Sequence, residues 1–167
     1  MDLGATVVGI AIIVLCCIPF ILISRNSRRR KQALLQGLND FAKKNNGQIS
    51  RSDIWNKSAI GIDDTSHRIF FTKETKEGEV RQMIPLAEVQ KCRVATSGRI
   101  TGQTAVNHKV IEKLELVFTH SERKTTETVL EFYSIDSDSL TLTGELQLAE
   151  KWCKMINDDV TARSQRK

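Results

Sequence analysis

The chain has 167 residues, with 25 Lys and Arg against 20 Asp and Glu, for a formal net charge of +5. The excess is local: Arg25, Arg28, Arg29, Arg30 and Lys31 carry it, and residues 32–167 together hold only +1. With no basic domain and no nucleic-acid motif, nucleic acid is excluded as a partner, and four cysteines without a C-x-x-C exclude a zinc or disulfide framework.

Residues 1–24 are the first predicted element, a transmembrane anchor. Gly4 to Ser24 is an uncharged run of 21 residues, which as a helix rising about 1.5 Å per residue spans roughly 31 Å, enough for a hydrocarbon core. Basic residues follow the run instead of preceding it, and no A-x-A site closes it, so the pattern predicts a retained anchor in place of a cleaved signal. Basic flanks stay on the cytoplasmic side. The expected location is therefore the cell (inner) membrane, single-pass, with the N-terminus outside and the C-terminal domain cytoplasmic. Arg25, Arg28, Arg29, Arg30 and Lys31 are expected to set that topology and touch lipid headgroups.

Residues 25–47 follow as a basic juxtamembrane helix. Leu34, Leu38, Phe41 and Asn45 fall at i, i+4, i+7 and i+11, and Gly47 is placed to stop the helix. Its modest apolar stripe fits either a spacer packed on the next domain or a self-association surface.

At Gln48 the period changes from helical to alternating. Ala59 to Asp63, Arg68 to Lys73, Val80 to Pro85, Val89 to Ala95, Val110 to Thr119 and Thr125 to Ser134 are short runs rich in Ile, Val, Phe and Thr, and Ile49 to Trp55 is a further candidate. Leu114, Leu116 and Phe118 alternate with Glu115, Val117 and Thr119, as in a half-buried strand. The same alternation predicts that one of Phe70 and Phe71, and one of Phe132 and Tyr133, points outward. Ser97 to Asn107 is polar and holds two glycines, which predicts a long loop. Arg99, Gln103, Asn107, His108 and Lys109 are its candidate partner-binding residues.

The last element is a helix: Leu142, Leu146, Ala149, Cys153, Ile156 and Val160 form one apolar stripe, with Thr143 as a candidate cap and Glu145 in the first turn. The β domain with this helix covers 48–160, and 161–167 is expected to be a disordered tail. The predicted fold class is α+β: a transmembrane helix, then a roughly seven-stranded antiparallel sheet or barrel closed by one C-terminal helix.

That arrangement, with the turn Ile84-Pro85-Leu86-Ala87-Glu88-Val89, resembles the pleckstrin-homology-like superfold. Trp55-Asn56, Ile60-Gly61-Ile62-Asp63, Leu130-Glu131-Phe132-Tyr133 and Gly144 to Trp152 resemble an uncharacterised family of small bacterial membrane-anchored proteins, over roughly residues 50–157. Phosphoinositide-binding members of the superfold carry several Lys and Arg near their first turn. This chain has Asp63-Asp64-Thr65-Ser66-His67-Arg68 there, and two carboxylates repel a phosphate. The resemblance thus implies a protein or peptide partner and not a phosphoinositide headgroup.

No chemistry is announced by spacing. His67, His108 and His120 are scattered, Asp136 and Asp138 lack the glycine and glutamate of a calcium loop, and no phosphate-binding glycine motif occurs. The expectation is no enzyme, no metal and no cofactor. Two functions remain: a single-pass membrane-anchored binding module presenting its domain to a membrane or cytosolic protein or peptide, or a structural subunit of a membrane homo-oligomer or larger complex. The expected partners are the lipid bilayer and a protein, a second copy included.

Overall fold

The structure, a computed structural model, describes residues 28–101, 108–120, 127–138 and 142–165. A helix, α1, covers 28–44. The strands are β1 (Arg51–Trp55), β2 (Ser58–Asp63), β3 (Arg68–Thr75), β4 (Gly78–Pro85), β5 (Val89–Thr101), β6 (His108–His120) and β7 (Glu127–Ser134), and helix α2 (Glu145–Ser164) follows. They form two antiparallel sheets, β1-β2-β3-β4 and β5-β6-β7. Neither sheet closes into a barrel, which corrects the expected single sheet or barrel. The two sheets pack face to face and leave edges.

Among the described residues no helix is long and apolar enough to cross a membrane. The structure therefore supplies no transmembrane helix, and the single-pass reading, with its inner-membrane location and orientation, is set aside. Its span at residues 4–24 lies outside the described residues, together with Cys16, Cys17 and Arg25.

Period-2 alternation puts Ile60, Ile62, Ile69, Phe71 and Ile84 on the inward face of the first sheet and Leu114, Leu116, Phe118, Leu130 and Phe132 on that of the second. Helix α2 closes one end by inserting Ala149, Trp152 and Ile156. Trp55 joins the sheets: its ring stacks on Phe132 with centroids 4.2 Å apart, and its indole N–H donates to the Phe132 carbonyl at 2.8 Å. Gly144, with φ of 114°, takes the N-cap position expected of Thr143. The Glu145 carboxylate accepts from the Thr143 backbone N–H and from the Asn56 amide, at 2.5 and 2.8 Å. Helix α2 runs on to Ser164, into the stretch expected to be disordered.

The outer face of the first sheet is covered by α1. Leu38 and Ala42 pack on Ala59 and Phe70, with Phe41, Ile49 and Ile54 around them, and Phe41 meets Phe70 edge to face at 5.7 Å. The approach is close at Gly61, where a Cβ would lie 2.9 Å from Ile49 and 3.2 Å from Leu38. Phe70 and Phe71 are therefore both buried, on opposite faces of one sheet; Phe132 and Tyr133 are both buried too, in one and the same core, where the β6–β7 register slips. Neither pair has the outward aromatic that alternation predicts.

Strand β5 slips register between Ser97 and Gly98, and a Cβ on Gly98 would stand 2.0 Å from the Val110 carbonyl oxygen. Only glycine fits that bulge. Gly98→Ala is expected to cost about 1–3 kcal/mol in urea unfolding and to speed amide exchange in β5 beyond the bulge.

Candidate functional site

Two open sheets expose four edge strands, and a free edge offers unpaired N–H and C=O groups to any extended chain. At β1, Asp53 accepts from the Lys151 ammonium at 2.7 Å and the Trp152 indole at 2.9 Å, tying the strand under α2. At β5, Asn157 mimics a missing strand: its amide oxygen accepts from the Cys92 N–H at 2.8 Å and its NH2 donates to the Cys92 carbonyl at 2.9 Å. Strand β5 is also bulged at two places. Strand β7 gives the Phe132 carbonyl to Trp55.

Strand β4 has no such plug. It pairs with β3 in unbroken register from Gly78 to Pro85, and among the described residues no hydrogen bond from outside the sheet reaches its backbone between Glu79 and Ile84. Val80 and Met83 are 40% and 39% exposed. Glu79 and Arg81, on the α1 side, pair with each other at 2.7 Å, and the Arg81 guanidinium stands over the Phe41 ring at 5.9 Å.

The other face of β4 borders a cleft of about 730 Å³ between the two sheets, lined by Phe71, Lys73, Val80 and Gln82 on one side and Lys113, Glu115, Val129 and Glu131 on the other. Val80 and Val129, one from each sheet and 40% and 38% exposed, both line it, together with Lys76, Glu77 and Asp136. Its floor is charged. The Lys73 ammonium, only 2% exposed, donates to Glu131 at 3.0 Å and to Asp138 at 2.9 Å, and Asp138 is itself 1% exposed. Asp138 also accepts from the Ser134 N–H at 3.0 Å. Lys113 continues the ladder to Glu115 at 2.6 Å and Glu131 at 3.4 Å, and the Glu115 hydrogen bond holds its pKa above the ordinary lysine value despite desolvation.

Each floor charge is thus met by an opposite one. In the cleft lining, the Gln82 side-chain oxygen is buried with no hydrogen-bond partner among the described residues. Such an acceptor costs free energy until a donor arrives. A cleft whose buried charges are paired, with two exposed valines and a waiting acceptor, suits an extended segment with an N–H to give. At its edge the Ser137 hydroxyl donates to the Asp138 carboxylate at 3.3 Å. Among the described residues no group of three or more His, Cys, Asp or Glu could hold a metal ion.

The turn between β2 and β3 is fully committed. Asp63 accepts from the Ser66 hydroxyl at 2.6 Å and from the backbone N–H groups of Thr65, Ser66 and Gln48. Burial pushes its pKa up, but these bonds outweigh it, taking the carboxyl from 3.8 to about 2. Asp64 pairs with Arg51 at 2.6 Å, His67 meets Asp159 at 3.0 Å, and Arg68 donates to the Asn45 carbonyl at 2.7 Å. A folded-state pKa below the unfolded value means stability present above pH 3.8 and lost as pH falls through about 2. Asp63→Asn is expected to cost about 1–2 kcal/mol at neutral pH. In urea titrations over pH, its gap from the native chain should close on the acid side of that window.

Of the residues expected to act, Arg28, Arg29, Arg30 and Lys31 form the exposed first turn of α1, and Arg30 is paired with Glu74 at 3.0 Å. The expected loop is shorter than Ser97 to Asn107, because β5 continues to Thr101 and β6 starts at His108. Arg99 is therefore a strand residue, 84% exposed and 3.3 Å from Glu112. His108 and Lys109 open β6, while Gln103 and Asn107 lie outside the described residues. Of the described ones, Arg28, Arg29, Arg30, Lys31 and Arg99 do not line the cleft. Cys92 is buried, which pushes its thiol pKa up, with the neighbouring Cys153 adding to the effect.

No family model, curated protein or solved structure matches the chain.

Sequence reasoning missed Lys73, Gln82, Val80 and Val129. Lys73 had a signal: it follows Ile69 and Phe71 at intervals of two, so alternation put a lysine on the inward face. Gln82 likewise precedes the inward Ile84 by two.

Proposed function

We propose that the protein is a non-enzymatic binding module that takes an extended protein or peptide segment as an added strand along β4. Main-chain bonds to the free edge supply affinity, and alternate side chains of the guest enter the cleft beside Gln82 and between Val80 and Val129. What carries the reading is that β4 is an edge of unbroken register whose backbone between Glu79 and Ile84 no outside hydrogen bond reaches among the described residues, and that its Val80 and Gln82 side chains open onto the cleft. A guest amide donor would satisfy the Gln82 oxygen. The test is selection of peptides from a random display library on the full chain, followed by titration. Selected sequences should be extended and alternating in hydrophobicity. Val80→Lys with Met83→Lys, which adds edge charge at two exposed positions, should weaken them at least ~10-fold. Peptides that bind the double variant as tightly as the native chain would refute strand addition.

A further inference from the structure

The charges along β4 identify a specific guest. We infer that the strand docking on β4 is the β4 of a second copy, so that two chains pair antiparallel about a two-fold axis through Val80 and join their four-stranded sheets into one of eight strands. The inference rests on the strand-docking reading above.

Residues facing each other across an antiparallel pair must lie on the same sheet face, which restricts a two-fold pairing to registers centred on a residue. Centred on Val80, Glu79 of each copy faces Arg81 of the other, giving two reciprocal ion pairs beside a Val80 contact. Centred on Arg81, two guanidiniums would oppose each other, a destabilising like-charge pair. Centred on Gln82, Glu79 would meet Pro85, which has neither charge nor N–H to offer.

Only the first register uses both charges. Glu79 and Arg81 are already neighbours within one strand, 37% and 38% exposed on their side chains, so each can be shared with a second copy without dragging a charge out of a buried site. In the same register Gln82 faces Gly78, which has no side chain to crowd the amide and around which a Cβ would find open space. Isologous contacts of this kind close on themselves, so the product is a dimer and not a fibre.

Sedimentation equilibrium of the full chain should show a dimer. Glu79→Arg and Arg81→Glu should each weaken it at least ~10-fold by setting like charges opposite. Glu79→Arg combined with Arg81→Glu should restore it, because the reciprocal pairs are rebuilt with signs exchanged. Val80→Cys should cross-link to a disulfide dimer under mild oxidation, and Glu77→Cys, which this register sets opposite Met83, should not. All these positions are exposed, so the variants fold. A monomer at the highest soluble concentration, or a dimer indifferent to the charge reversals, overturns the inference. If the chain is a monomer but library peptides still bind in a β4-dependent way, strand docking stands and the second copy is rejected. A monomer that also takes no peptide removes both.

Discussion

Replacing Lys73 with methionine should destabilise the protein by about 3–5 kcal/mol, the cost of leaving a buried charge without its partner. The ammonium sits between Glu131 and Asp138, and Asp138 is as buried as the lysine. Methionine keeps most of the volume, so the loss reports charge and not a cavity. The second carboxylate then decides the interpretation. Lys73→Met with Asp138→Asn should recover part of the loss, because the stranded anion is gone, and the double-mutant cycle should show a coupling of at least ~1 kcal/mol. Urea unfolding measures each variant. A single variant within ~1 kcal/mol of the native chain would mean that water reaches the pair and that the cleft floor is wetter than its geometry implies.

Trp55→Ala should cost about 3–5 kcal/mol, the range for a large aromatic removed from a core. Its ring lies between Phe132 at 4.2 Å and Phe71 at 6.1 Å, so truncation opens a hole where the two sheets meet. It also strands the Phe132 carbonyl. Trp55→Phe separates these effects: much of the packing stays, and the loss should be about 1–2 kcal/mol from the missing N–H donor. Equal losses for the two variants in thermal or urea unfolding would assign the whole role of Trp55 to its hydrogen bond.

The inward residues of the strands were legible from alternation. Leu114, Leu116 and Phe118 alternate in the sequence, and all three are fully buried on β6, although Val117, on the face expected to be solvated, is buried as well at 3% exposed. The rule failed where both faces are covered. Phe70 was expected outside or inside in exchange with Phe71, yet α1 buries it through Phe41 and Ala42, a contact between segments about thirty residues apart that no local period encodes. Ser97 to Thr101 was polar enough to predict a loop, but a long hairpin partner in β6 holds it as strand, with Gly98 serving the bulge. The division into two sheets was not legible either. Alternation fixes which side a residue faces and says nothing about which strands fail to pair.

The cleft was only faintly readable. Lys73 on an inward face pointed to a buried counter-charge, but Asp138 lies beyond the end of β7, in a polar stretch with no period to place it. The β4 edge was unreadable in principle, because an edge is defined by the partner a strand lacks. Its neighbours were no guide: the plugs at the other edges, Asn157 at β5 and Lys151 and Trp152 at β1, come from a helix more than sixty residues away in sequence.

Amide hydrogen exchange of the full chain, with and without a peptide taken from the display selection, bears most directly on the claim that β4 is a docking strand. Backbone amides between Glu79 and Ile84 should slow markedly on binding, while those of β1, β5 and α2 stay as they were. Protection that leaves β4 untouched and falls on another edge or on α2 would contradict it.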